Sequence, residues 1–156
     1  MLPDREESLA AVKDINATYQ RSGWGTAMAK FIAIVSHVGP IPADFADQPS
    51  DPAMFGLPAE DDGNRSDPMF GGDMSATTHY EPRFDALRAA STRIVIAAGE
   101  ESGGTLASRA ALVVAEKLGQ SPTIFPSDHD GFLGGEYGQT GKPDEFAAKL
   151  REVLDD

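Results

Sequence analysis

The stretch from Arg93 to Phe132, RIVIAAGEESGGTLASRAALVVAEKLGQSPTIFPSDHDGF, carries the reading of the fold. Its first six residues, Arg93 to Ala98 (RIVIAA), form a short, β-branched, apolar run without alternation, the pattern of a parallel strand covered on both faces. From Thr105 to Leu118 the apolar residues Leu106, Ala110, Val113 and Val114 keep helical spacing, and Gly119 closes the helix. Pro122 to Phe125 (PTIF) is then a second strand. Strand, helix and strand in this order predict a right-handed parallel βαβ unit, and so an α/β fold.

Downstream, Pro143 stands where a first-turn proline belongs, and Phe146, Leu150 and Val153 at i, i+4, i+7 predict a terminal helix. Upstream, Val12, Ile15 and Tyr19 mark a helix over 6–20, with Ser8 or Asp4 available as its cap and Ser22-Gly23 as its end. A second helix from about Gly25 to His37 shows Phe31, Ile34, Val35 and Val38 on one stripe, widened by Met28 and Ile32, and Gly39-Pro40 stops it. Residues 39–84 are different in kind: seven prolines, five glycines, nine acids and two bases leave no apolar period of 2 or 3.6. A loop of that length in a domain is usually a lid, a binding loop or a disordered insert. A helical turn over 84–89 ends it. The organisation expected is a helical segment 1–38, a Pro/Gly/Asp-rich loop 39–84 and a βαβα part 85–156.

The composition narrows the function. The 156 residues carry 25 acids against 13 bases, a formal charge of −12, with 40% hydrophobic residues. That is one ordinary globular domain's worth of chain. Affinity for nucleic acid or an anionic membrane comes from Lys and Arg displacing counterions, so neither is an expected partner. Cysteine is absent, which excludes disulfides, thiolate metal sites and a cysteine nucleophile. The N-terminal MLPDREESL lacks the basic start and apolar run of a signal peptide, and no stretch approaches the roughly 18 apolar residues of a spanning helix, so the expected location is cytoplasmic.

In open α/β sheets ligands gather beyond the carboxyl ends of the strands. The segments there are Gly99-Glu100-Glu101-Ser102-Gly103-Gly104 and Ser127-Asp128-His129-Asp130-Gly131-Phe132. A βαβ unit brings an acid on the first loop beside a histidine on the second, the arrangement in which a carboxylate orients an imidazole for general-base work. The bland alternatives are a solvated histidine and two glutamates that favour a helix N-terminus. The other histidines, His37 and His79, have no metal-ligand spacing. Asp128 and Asp130 suggest positions 3 and 5 of a calcium loop, but Pro126 and Tyr137 occupy its first and last ligand positions. Neither G-x-G-x-x-G nor G-x-x-x-x-G-K-[ST] occurs, so no nucleotide, metal or other cofactor is expected. The run Glu60, Asp61, Asp62 reads as a solvated face.

RIVIAAGEES, the helix end AEKLG, FPSDHDGFL and the final PDEFAAKLREVL together resemble the C-terminal end of an α/β-hydrolase, of the actinobacterial type in which an insert like ATTHYEPRFDALRAAS also occurs. The resemblance implies a mostly parallel sheet with the catalytic histidine in a loop after the last strand, which makes His129 the general base. It covers nearly the whole chain but half of a family member: residues 1–84 correspond to the cap, and the βαβ unit to the last two strands. The G-x-S-x-G nucleophile elbow and the oxyanion-hole loop have no counterpart. The nearest string, Gly99 to Gly103, has its serine one place late, and Ser102 stands where many members carry the triad aspartate. Glu101 is the first candidate for the acid and Glu100 the second.

The resemblance thus implies a serine-hydrolase-type activity, ester or amide cleavage of a small-molecule substrate with a hydrophobic acyl group, the serine coming from a partner or a segment outside these residues. Met28, Phe31 and Ile32 would shape the acyl pocket or simply pack. A missing oxyanion donor alone costs about 10²- to 10³-fold in rate, so efficient catalysis by this chain alone is not expected. The alternatives are a non-catalytic truncated remnant acting as a binding or interaction module, and a small-molecule binder using loop 39–84. The outer edge of Arg93 to Ala98 is predicted to be bare, which invites a homodimer or an N-terminal-half partner.

Overall fold

The computed structural model describes residues 2–155, save the side chain of Tyr137. It is mixed α/β and divides into two compact units, 1–82 and 83–156.

The first unit is built on α1 (Arg5–Ser36), which bends at Gly23, where φ is 81° and ψ is −175°. The two predicted helices are therefore one rod with a kink, and only glycine takes that conformation without strain. Asp4 precedes the first turn, but its carboxylate does not cap the helix; it accepts the Ile41 N–H at 2.7 Å in a buried site. Ala11, Val12, Ile15 and Tyr19 form the buried stripe. Tyr19 and Phe70 are each 1% exposed, with ring centroids 5.5 Å apart.

The part of the predicted loop that lies in this unit, residues 39–82, is mostly irregular and packs as a strap along α1. It contains 3₁₀ turns at Phe45–Asp47 and Pro52–Phe55, a π turn at Met69–Asp73 and α2 (Met74–Thr78), and it buries Ile41, Pro52, Phe70 and Met74. Polar pins supplement those apolar anchors. Lys30 Nζ reaches Asp14 at 2.6 Å and the carbonyls of Ala46 and Gln48 at 3.0 Å each. The Tyr19 hydroxyl accepts the Asp67 N–H at 3.0 Å. Arg65 lies 5.4 Å over the Tyr19 ring and holds Asp61 through two bonds of 2.8 and 2.6 Å. A Cβ on Gly23 would strike the Asp61 carboxylate, and one on Gly25 the Pro58 carbonyl, so the strap's close approach requires both glycines.

In the second unit, α3 (Phe84–Ala89) leads to β1 (Ala97–Gly99), a 3₁₀ turn at Glu100–Ser102, α4 (Leu106–Leu118), β2 (Thr123–Phe125), a 3₁₀ turn at Glu136–Gly138 and α5 (Pro143–Asp155). α4 is capped by the Thr105 side chain and closed by Gly119 at φ 75°. β1 and β2 pair in parallel, Ala97 with Thr123, Ala98 with Ile124 and Gly99 with Phe125. Phe146 of α5 packs on Phe125 at 5.0 Å and on Phe132 at 6.0 Å. Arg93 donates to the Val153 carbonyl at 2.6 Å.

β1 starts four residues later than the apolar run, and residues 93–96 lie outside the strand. A strand is a pairing, and β2 pairs over three residues only, Thr123 to Phe125. The Ile96 carbonyl still accepts the Thr123 N–H at 2.8 Å. Among the described residues, no helix is long and apolar enough to cross a membrane.

Candidate functional site

Because β1 and β2 run parallel and adjacent, the loops that leave their carboxyl ends emerge side by side. The Glu101 N–H donates to the Ser127 carbonyl at 2.9 Å, a direct bond between the two. Glycine makes the approach feasible: a Cβ on Gly99 would come within 2.8 Å of the Ser102 Oγ and the Ser127 carbonyl, and one on Gly131 within 2.7 Å of the Pro126 carbonyl. The second loop is held internally by Asp130 N–H to Asp128 Oδ1 at 2.9 Å and Gly131 N–H to the Asp128 carbonyl at 3.2 Å. Lys142 N–H to the Gly131 carbonyl at 2.9 Å ties its far end to the start of α5.

On this base the structure places His129 with an exposed side chain that makes no hydrogen bond or ion pair among the described residues. The Glu101 carboxylate is engaged by Lys142, Nζ to Oε1 at 2.6 Å, and that contact raises the Lys142 pKa above its ordinary value. Glu100 is exposed and makes no hydrogen bond or ion pair among the described residues, though its charge also favours the Lys142 ammonium. Loop therefore meets loop, while neither glutamate is bonded to the imidazole. Acid dominates the surroundings, with Asp128 and Asp130 flanking the histidine, and Phe132, 55% exposed, supplies an aromatic face just beyond it.

Two residues here escaped sequence reasoning. Lys142 lies 41 positions from Glu101, and no local pattern links them. Ser127 is buried and has φ +66°, the one non-glycine with positive φ among the described residues. A serine in that region signals a tight, over-determined turn. Its place between Pro126 and an aspartate was the only available hint.

The remaining histidines are structural. His37 bonds the Pro40 carbonyl at 3.0 Å and packs edge-on against Phe45, and the His79 Nδ1 lies 2.8 Å from the Ser75 carbonyl. Among the described residues no group of three His, Cys, Asp or Glu side chains could hold a metal ion. The cleft of about 50 Å³ beside Lys30 is lined by Asp14, Ile15, Phe45 and neighbours, but the three partners of the ammonium leave it no donor to offer. Compared with known proteins, the sequence matches no family model, no characterised protein and no solved structure.

Proposed function

We propose that the second unit is the base-and-acid end of an α/β-hydrolase-type site acting on esters or amides of small, apolar acyl compounds in the cytoplasm, with the nucleophilic serine supplied from outside these residues. The observation that supports it best is the junction of the two strand-end loops through Glu101 N–H and the Ser127 carbonyl, which brings the acid-bearing loop against the histidine-bearing one. In this reading His129 accepts the proton of the serine hydroxyl as the oxygen–carbon bond forms. It then delivers that proton to the leaving alcohol or amine as the acyl–leaving-group bond breaks. In this reading the orienting carboxylate is Glu101, released by Lys142, or the unbonded Glu100.

A second reading, a binding module without catalysis, is favoured by one specific observation, the lack of any bond between His129 and either glutamate among the described residues. The discriminating experiment is fluorophosphonate labelling, read by intact mass, of this chain co-expressed with the polypeptide encoded immediately upstream of it. The hydrolase reading expects a serine adduct on the upstream polypeptide that disappears with His129→Ala. A co-purifying pair that takes up no label, or an upstream segment without apolar strands and G-x-S-x-G, leaves the binding module as the function.

A further inference from the structure

The histidine loop is tied at its two ends to two residues that are also bonded to each other. At its start the Ser127 carbonyl accepts the Glu101 N–H at 2.9 Å, and at its end the Gly131 carbonyl accepts the Lys142 N–H at 2.9 Å. Lys142 Nζ then reaches Glu101 Oε1 at 2.6 Å and closes the ring. A Cβ on Gly141 would come within 2.5 Å of the Gly131 carbonyl, so glycine there lets the segment before α5 lie against the loop. His129 is the middle residue of the span 127–131, two residues from each tie, and two residues of chain reach about 7 Å at most. The imidazole is therefore within side-chain reach of the Glu101 carboxylate, which is bonded instead to Lys142.

Lys142 holds a position that its own helix does not favour. Its carbonyl accepts the Phe146 N–H at 2.8 Å, the first bond of α5, so it is the N-cap residue, with Pro143 next in the first turn. Ser, Thr, Asp and Asn are preferred there because a short side-chain oxygen takes an orphan N–H, and the positive end of the helix dipole disfavours an ammonium. Asp144 and Glu145 supply the first-turn charge that the helix favours. A residue that breaks a local rule points to a role outside its element, and the ammonium's contact outside α5 is Glu101. The two side chains are 39% and 52% exposed, so the pair is favoured over its open form by about five-fold at most. It is an exchangeable clamp, unlike Lys30 with its three partners.

We infer that Lys142 is a positioning residue that withholds the Glu101 carboxylate from His129 and, when the clamp opens, yields it to the imidazole, so that the ion pair is the resting form of the acid. The inference deepens the hydrolase-type reading and rests on it for what the histidine and carboxylate then do. The charged groups around the imidazole are Asp128 and Asp130 beside it, Glu100 and Glu101 on the first loop, and Lys142, whose ammonium is also favoured by Glu100 and by Glu145 of α5. Removing the ammonium leaves the Glu101 carboxylate without its partner and free to turn to the imidazole across the ring.

The test is proton NMR on the full chain at about pH 5.5, between the ordinary titration ranges of glutamate and histidine, read as the nuclear Overhauser cross-peak between the His129 ring and the Glu101 γ-methylene. In Lys142→Met the cross-peak is expected to be about five-fold stronger than in the wild type, while the Glu101 amide keeps its protection from exchange. Lys142→Arg, which keeps the cation, is expected to hold the cross-peak at its wild-type strength. Equal cross-peaks in the wild type and Lys142→Met, or an equally strengthened one in Lys142→Arg, overturn the inference. Loss of protection at the Glu101 amide in Lys142→Met also overturns it, because Lys142 is then a structural pin that holds the loops together. Should Lys142→Met fail to fold, Lys142→Ala carries the same expectations, and failure of both variants to fold counts against the inference in the same way. These outcomes do not involve the nucleophile: if the clamp fails, Glu100 is left as the acid, and labelling of the co-expressed pair still decides the hydrolase reading.

Discussion

The two units solve the same problem in opposite ways. In the first, a proline- and acid-rich strap with no periodicity is fixed to α1 by a few buried anchors and a set of charged clasps, so its apolar stripe is covered from within. In the second, sequences with strong periodicity give well-formed helices around a sheet of two three-residue strands, with no third strand beside either among the described residues. Regular pattern is therefore no guide to completeness. The unit that looks disordered by composition is internally satisfied, and the unit that reads most clearly is the one with bonding groups to spare.

The largest expected effect is at the centre of the first unit. Phe70→Ala removes the ring that seals Tyr19 and is expected to cost about 3–5 kcal/mol, read by denaturant unfolding through the fluorescence of Trp24, the single tryptophan. A cost below roughly 1 kcal/mol, within the range of ordinary surface substitutions, would mean that the strap is not anchored there and would erase the contrast.

Gly25→Ala comes next. Its methyl would overlap the Pro58 carbonyl, and displacing the strap is expected to cost about 1–3 kcal/mol by the same measurement. Ala at Gly119 of the second unit meets no atom within 4 Å, so its cost comes from the φ of 75° alone. The comparison sharpens if the first exceeds the second.

The clasp itself responds to acid. Bonding to Arg65 holds the Asp61 carboxyl down at about 2, against an ordinary value of 3.8. A depressed carboxyl stabilises the fold above its ordinary value and loses that contribution as pH falls toward the folded value. The protection of the Gly63 amide, which bonds Asp61, is therefore expected to fall, relative to the intrinsic exchange rate at each pH, between about pH 4 and pH 2, and to be lowered already at neutral pH in Arg65→Gln. Identical profiles in the variant and the wild type would break the account of the strap.

The smallest effect is at the candidate site. Lys142 and Glu101 are both substantially exposed, so Glu101→Gln is expected to change stability by less than about 1 kcal/mol, measured by thermal unfolding. A larger loss would make this pair a structural pin like Lys30 and Asp14 rather than a carboxylate available to the histidine.

How much of this was legible in the sequence depends on the range of each interaction. α4 and α5 were, because helix spacing, Thr105, Gly119 and Pro143 are local signals. The strand positions were legible and their lengths were not, because a strand is only as long as its pairing, and β1 pairs only over Ala97 to Gly99 with Thr123 to Phe125. The Asp4 to Ile41 bond, the Lys30 clasp and the Arg65 stack join residues 16 to 46 positions apart, and nothing in either neighbourhood announces them. At the site, adjacency of the two loops was readable from topology. The engagement of Glu101 by Lys142 and the positive φ of Ser127 were not.

The central proposal is that this chain holds half a site, the base and the acid without the nucleophile. Fluorophosphonate labelling of the purified chain alone, beside His129→Ala and read by intact mass, tests it most directly. The account predicts no adduct on either protein. A stoichiometric adduct on the wild type that vanishes in His129→Ala would contradict it, and would place an activated serine within these residues.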